Sequence, residues 1–452
     1  MDRVKIGLVG FGTVGESFYR LLTENAEEFA RRLGVTVEVP WVGVRDTSRP
    51  RKVKPGTCVV QGWAQIIEDP DVPIVVELAG GVDNPLPLIR ESLSRGKHVI
   101  TANKALLSVH GRELFSLAAS NGVELKFEAA VCAGIPIIKV LQESLVGNRV
   151  TSLVGIVNGT TNYILTRMSE DHLSFDESLA QAQKKGFAEA DPTLDVSGGD
   201  AAQKIGLLAS LAFGCWITPA DILCEGITKV ELKDIEFAKD SGFVVKLVAQ
   251  ARMADAQPLV TVFPAFVPVD HPLAGVRNEF NALLVDSDYL GPSVYEGRGA
   301  GGKPTASSVA SDLGDLLKGI LARQRPRPFA ASFTDIRPFP VERMQSRYYF
   351  HFVTANRPGI WALVTGVCAE TGINIESVHQ KWEDKSKPSD LYVLVDEAEE
   401  AQVRRAFQRI TASDGIHADS HYVRILASPV ATEGEGERGQ GRPKASPSGG
   451  QK

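Results

Sequence analysis

The apolar positions of this chain change their period repeatedly. Over 4–9 they run almost unbroken, as in a strand buried on both faces, and a turn, Gly10-Phe11-Gly12-Thr13-Val14-Gly15, leads into a helical period that lasts through Leu22. Short apolar runs recur over 36–44, 74–78 and 97–101, and the last two pass directly into Ala79-Gly80-Gly81 and Ala102-Asn103-Lys104. Strands ending in such βα turns predict a doubly wound α/β domain over 1–133.

Over 134–303 the pattern is mixed. Runs at 150–157, 259–263 and 282–286 read as strands of a second α/β domain. Ser174 and Glu177 have capping-box spacing, Lys184 and Lys185 fall in a last helical turn, and Gly186 stands where a glycine stops a helix. A further helix is expected over 200–213, and Pro304 with Thr305 opens an amphipathic segment over 306–321. From 347 the order is strand 348–353, helix to 371, strands 373–380 and 390–395, helix 398–410 and strand 421–425. That βαββαβ order predicts a ferredoxin-like domain over 347–428. Past Pro429 no bulky apolar residue follows Val430, so 429–452 should be a disordered tail.

The first turn has the spacing and the context of a dinucleotide fingerprint. Gly10 allows the tight turn, Gly12 lets the backbone approach a pyrophosphate, Gly15 permits close helix packing, and the helix N-terminus offers donors to phosphate. The second strand ends in Arg45-Asp46-Thr47, and an arginine there suits the 2′-phosphate of NADP, while Asp46 keeps NAD open. Lys104, in a turn at the carboxyl end of a strand, falls where such sheets bind ligands.

The densest chemistry lies over 182–204. Glu189, Asp191, Asp195 and Asp200 are expected to converge on Lys204, and Asp200 and Lys204 share a helix face. Carboxylates beside an ammonium suit a small amino alcohol, because the carboxylates bind its amine or hydroxyl and the lysine exchanges a proton with oxygen. The bland alternative is a solvated loop and a surface i,i+4 ion pair. The fingerprint upstream weighs against it.

Here the chain resembles the homoserine dehydrogenase family, in the form that carries a C-terminal regulatory ACT domain, over nearly all residues up to about 428. Ala182, Gly186, Ala188, Asp191, Pro192, Asp195, Gly198, Asp200 and Lys204 match every element of the family signature. VVELAGG, HVITANKALL, VNGTTNYIL and GRGAGGKPTASSVASDL resemble further family blocks, in order. The resemblance implies reversible reduction of L-aspartate 4-semialdehyde to L-homoserine with NAD(P)H, on the route to threonine, methionine and isoleucine. It assigns Lys204 and Lys104 to proton transfer, Glu189 and Asp200 to the substrate, and Asp195 to organising them. Gly10 to Gly15, Arg45, Thr101, Lys104, Gly186 and Gly301 are expected at the cofactor. The loop from Phe127 to Pro136 resembles a sodium site formed by Glu128 and the carbonyls of Val131, Ala133 and Ile135, with Cys132 where the family favours a smaller residue. A homodimer paired through the central sheet is also implied, as are a segment over 304–340 returning to the nucleotide domain and threonine as effector. Asn356 and Asn374 fall in the ACT loops, although the family usually has an aspartate at the first of them.

Two other readings stay open. Cys132 could form a thiohemiacetal in an aldehyde dehydrogenase, which requires an activated thiolate and a base. Alternatively the chain could be a nucleotide-responsive regulator without turnover. Composition narrows the rest: 452 residues with 43% hydrophobic content can form two or three cores, and no apolar run approaches the ~20 residues that span a bilayer. A net charge of −6 gives no broad basic footprint for nucleic acid. Five irregularly spaced cysteines suit reduced thiols and a cytoplasmic setting.

Overall fold

The unbroken apolar run becomes β1 (Asp2–Val9). Its Ile6 and Leu8 are fully buried because helices cover both faces of the sheet it centres. The computed structural model describes residues 2–324, 333–381 and 387–427. Around β1 lie β2 (Val35–Val44), β3 (Cys58–Gln61), β4 (Ile74–Glu77), β5 (His98–Thr101) and β6 (Leu125–Lys126), all parallel, in the order β3-β2-β1-β4-β5-β6. The strand order reverses between β1 and β4, so the crevice that binds ligands in this topology opens at their carboxyl ends. The helix Gly302–Leu321 closes the same domain from far along the chain: Ala306, Val309, Leu313 and Leu317 pack into one core with Phe18 and Leu22.

A second sheet holds the remaining strands. In chain order these are β7 (Val150–Ile156), β8 (Leu223–Cys224), β9 (Phe243–Ala254), β10 (Gln257–Pro268), β11 (Phe280–Ser287), β12 (Ser293–Arg298), β13 (Gln345–Thr354), β14 (Ile375–Lys381), β15 (Ser389–Glu399) and β16 (His421–Ile425). They run β12-β11-β7-β9-β10-β16-β13-β15-β14, with β8 also on β10. Two long strands exceed expectation. β9 was not anticipated, and β10 continues past Pro264, which falls between the residues paired with β8 and those paired with β16.

The last four strands, with the helices Ile360–Glu370 and Glu400–Thr411, form the antiparallel βαββαβ unit that the pattern predicts. It is not a separate bead. β16 pairs in parallel with β10 through Ala265↔Arg424 and Phe266↔Ile425, so one sheet runs through both units. Arg424, 1% exposed, reaches Glu225 upstream at 2.7 and 3.1 Å and Glu400 in its own unit at 2.7 and 3.0 Å, and its guanidinium lies over the Phe263 ring. Tyr349 stacks between Phe266 and Phe237. The tail proposed over 429–452 lies outside the described residues, as does part of the return segment, 325–332.

A second clamp on this seam is ionisable. Asp234, in the helix Leu232–Asp240, accepts from the Glu231 amide (2.8 Å), the Tyr349 hydroxyl (2.9 Å), His351 Nδ1 (3.0 Å) and His421 Nε2 (2.8 Å). His351 Nε2 faces Asp390 at 2.9 Å, and Asp390 pairs with Lys233. Among the described residues this is the one His and carboxylate group close enough to hold a metal, yet four donors already saturate the carboxylate.

Burial raises the Asp234 carboxyl, but the histidines overcome that and hold it well below the usual range. Burial lowers His421, and Asp234 reverses that direction upward. The carboxylate therefore stabilises the fold above the ordinary Asp value of about 3.9 and loses that contribution as pH falls through its lowered folded value. The imidazolium contributes fully below about 6.5 and loses its contribution as pH rises through its raised folded value. We expect the thermal midpoint to decline on the alkaline side of neutrality in the wild type, and the decline to flatten in His421→Gln. Parallel midpoint curves would show that His421 is not linked to folding.

Candidate functional site

The fingerprint turn is built as its spacing requires. Gly10 has φ 96°, and a Cβ there would lie 2.4 Å from the Leu78 backbone; one at Gly15 would lie 2.1 Å from the Gly10 carbonyl. Gly12, by contrast, borders open space and precedes the helix Thr13–Glu24 without a side-chain cap, so that helix keeps free amides for an anion. Phe11 packs edge-on against Tyr19, Val14 is half-buried, and Thr13 is exposed at the helix start. Gly301, at φ 115°, opens the helix Gly302–Leu321, and a Cβ on Gly302 would meet Ser17 and the Thr13 carbonyl. Two uncapped helix starts thus lie side by side.

Arg45 is exposed at the end of β2. Asp46 is occupied by the Ser48 amide at 2.9 Å, the Ser48 hydroxyl at 2.6 Å and Arg49 at 3.4 Å. On the next turns Thr101 donates to Glu77 at 2.6 Å, while the other Glu77 oxygen accepts from the Ala79 and Gly80 amides. Glu77 is fully buried, and loss of hydration pushes its carboxyl upward.

Lys104 begins the helix Lys104–Ser120, capped by Asn103, and its ammonium crosses to the second domain to meet Asp200 Oδ1 at 3.2 Å. Asp200 and Lys204 lie one turn apart on the helix Gly199–Phe213, and Lys204 Nζ is 2.7 Å from Asp200 Oδ2 and 2.7 Å from the Val157 carbonyl. Burial opposes charge on both groups. For Asp200 the two ammonium groups overcome it and bring the carboxyl down to about 2; for Lys204 the carboxylate overcomes it and the net direction is upward. Asp195 is half-buried, and desolvation raises it. Its Oδ1 accepts from Asn158 Nδ2 at 2.7 Å, and the same amide reaches Asp200 Oδ2 at 2.8 Å.

Not every expected residue joins this cluster. Glu189 is exposed, and among the described residues its carboxylate makes no hydrogen bond or ion pair; its backbone carbonyl accepts from Gln183. Asp191 closes its own turn on Thr193. Gly186, at φ 76°, stops the helix Phe175–Lys184 and has open space where a side chain would stand. The capping box of Ser174 and Glu177 is present. Glu77, Asn103 and Asn158 were missed as site residues. A side-chain cap at the head of each helix was the readable signal for the two asparagines.

Glu128 is buried, its carboxylate held by the Ile138 and Lys139 amides at 2.9 Å each, and its own amide donates to Asp312. Desolvation carries Glu128 up to about 7 and, with the Glu128 charge added, Asp312 up to about 8. Cys132 and Ala133 adopt positive φ, which turns the loop's carbonyls. The Ala133 carbonyl accepts from the Ser308 hydroxyl and that of Ile135 from the Ile137 amide at 2.8 Å. Burial pushes the Cys132 thiol up to about 11, the wrong direction for a nucleophilic thiolate.

The geometry has close counterparts. Residues 136–313 match the family model described as homoserine dehydrogenase, and 10–128 match the one described as homoserine dehydrogenase, NAD binding domain. The homoserine dehydrogenase of Pseudomonas aeruginosa is 38% identical over 431 residues, covering 94% of this chain and 99% of its own. The chain belongs to the homoserine dehydrogenase family. The Synechocystis homoserine dehydrogenase is 39% identical over 436 residues, 94% of this chain and all of that one. Among solved structures, the homoserine dehydrogenase of Thiobacillus denitrificans superposes with TM-score 0.88 at 36% identity, over 94% of this chain and 99% of that one. A hyperthermophilic archaeal homoserine dehydrogenase in complex with NADPH covers 72% of this chain and 100% of its own, with TM-score 0.60 at 28% identity. As a homoserine dehydrogenase the chain is an NAD(P)-dependent oxidoreductase that interconverts L-aspartate 4-semialdehyde and L-homoserine. Among the described residues no helix is long and apolar enough to cross a membrane.

Proposed function

We propose that this enzyme works with NADP, that Lys204 and Lys104 manage the proton, and that Asp200, Asp195 and Glu189 bind and orient the substrate. The observation that carries the reading is the meeting of two lysines from different domains on one buried carboxylate, Asp200. The residues around the fingerprint fit a dinucleotide: the helix start is uncapped, and the glycines leave room for its pyrophosphate. When bound, the nicotinamide supplies or accepts the hydride. Reduction leaves charge on the aldehyde oxygen, and a Lys204 ammonium held protonated by Asp200 is suited to give up a proton there. Lys104, 30% exposed, stands on the cofactor side and stabilises the same oxygen. The Glu189 carboxylate, exposed and without a partner among the described residues, is available to the substrate's ammonium.

Two further assignments belong to the same reading. Sodium fits the loop over 127–136, because the Ala133 and Ile135 carbonyls each retain a second lone pair and the buried Glu128 favours a nearby cation. The C-terminal unit has the ferredoxin-like order of an ACT domain and takes threonine at loops bearing Asn356 and Asn374. Binding there is coupled to the homodimeric catalytic portion through the sheet shared by β10 and β16.

Cofactor preference rests on Arg45, which is exposed while Asp46 is tied into its own turn. Homoserine oxidation assayed with both dinucleotides should favour NADP, and Arg45→Ala should shift the ratio of specificity constants towards NAD. A lost charge-assisted contact corresponds to about a tenfold change. An unchanged ratio would remove Arg45 from the phosphate site, and no turnover with either cofactor would overturn the whole reading.

A further inference from the structure

Asn158 precedes the helix Gly159–Asp171 in extended conformation, and its side-chain oxygen accepts from the Thr161 amide at 2.8 Å and the Thr161 hydroxyl at 2.9 Å. Both acceptor positions are thereby filled on the helix side. The amide nitrogen must point the other way, where its two N–H groups meet Asp195 Oδ1 at 2.7 Å and Asp200 Oδ2 at 2.8 Å. The residue is 4% exposed, so water does not compete for those bonds. An amide does not titrate in the working range. It offers donors to both carboxylates at every pH.

The neighbouring residue completes the grip. Val157 accepts one Lys204 proton at its carbonyl, and Asp200 Oδ2, the oxygen that Asn158 holds, accepts a second at 2.7 Å. An ammonium has three N–H groups. The third is the one left for a substrate oxygen, and its direction is fixed by the other two.

We propose that Asn158 is a positioning residue for the reaction: by fixing Asp200 it sets the direction in which Lys204 delivers its proton, and by donating to both Asp195 and Asp200 it holds the two adjacent carboxylates in place. This rests on the reading of Lys204 as the proton donor. Helix capping and carboxylate bridging use opposite ends of one side chain, so they can be separated. Asn158→Ser keeps an oxygen able to cap the helix but has no amide to span the two aspartates.

In Asn158→Ser the thermal midpoint should stay within a few degrees of wild type. The kcat for homoserine oxidation should fall about 10²-fold, the scale of a small misplacement of reacting groups. The acid limb of its pH profile should move to higher pH, because an ionised Asp200 has lost a donor. The KM for NADP should not change, since the fingerprint turn is untouched. A serine variant with wild-type kcat and pH profile would reduce Asn158 to a helix cap and overturn the inference. If Lys204→Ala also turned over normally, the proton-donor reading would fall first; a crippled Lys204→Ala beside a normal Asn158→Ser would sink the inference alone.

Discussion

Replacing Lys204 with alanine is expected to lower kcat for homoserine oxidation by about 10²–10⁴-fold, the range typical of general acid–base assistance, while NADP binding persists. The split follows from position. Lys204 lies on the helix Gly199–Phe213 in the second domain, whereas the turn from Gly10 to Gly15 and the start of the helix Gly302–Leu321 are the proposed nucleotide crevice. The substitution also removes one of the two ammonium groups that hold the buried Asp200 ionised. Lys104 remains at 3.2 Å, so the carboxylate keeps a partner. The rise in the Asp200 value should therefore appear as an acid limb displaced to higher pH, with the fold retained. Steady-state rates over pH, together with cofactor fluorescence titration, check both halves. Turnover near wild type would leave Lys104 or a bound water as the proton donor; loss of cofactor binding would mean that the substitution disturbs the interdomain crevice itself.

Local order was legible in this sequence, and long-range pairing was not. The fingerprint turn, the Ser174 capping box, the stop at Gly186 and the i,i+4 relation of Asp200 and Lys204 each depend on residues within one or two turns, where spacing dictates geometry. The ferredoxin-like order over 345–425 was readable for the same reason, since each strand and helix carries its own period. Asn158 was not, because its two aspartates lie 37 and 42 positions away and a short asparagine before a helix reads first as a cap. Glu77 was missed because a buried acid at the end of an apolar strand reveals its partner, Thr101, only once β4 and β5 are side by side. Pro264 looked like the end of a strand, and only the pairing of β10 shows why it is tolerated there: it falls in the gap between the residues paired with β8 and those paired with β16.

The same limit governs the C-terminal unit. Because every substrate and cofactor motif lies upstream of Gln345, the sequence alone predicts an active enzyme after truncation there. The continuous sheet reverses that expectation. Deleting 345–452 strips β16 from β10 and exposes an unpaired edge at Ala265 and Phe266. It leaves Glu225 without Arg424, removes Tyr349, His351 and His421 from the buried Asp234, and uncovers the faces of Phe237 and Phe266 on which Tyr349 stacks. Apolar faces returned to water and an unpaired strand edge weigh against a net stability of only about 5–15 kcal/mol for a whole domain. The truncated chain should accordingly aggregate or unfold well below the wild-type midpoint, with activity lost in proportion to soluble protein. Arg424→Ala tests the same seam without removing a strand: the buried Glu400 and the partly exposed Glu225 lose their shared counter-ion, so a fall in midpoint of several degrees is expected with the active-site geometry of surviving molecules intact. Differential scanning calorimetry and homoserine oxidation per folded molecule separate these outcomes. A monodisperse truncated enzyme with wild-type kcat would show that the seam is an accessory contact, and that whatever effector signal the C-terminal unit carries does not depend on holding the catalytic sheet together.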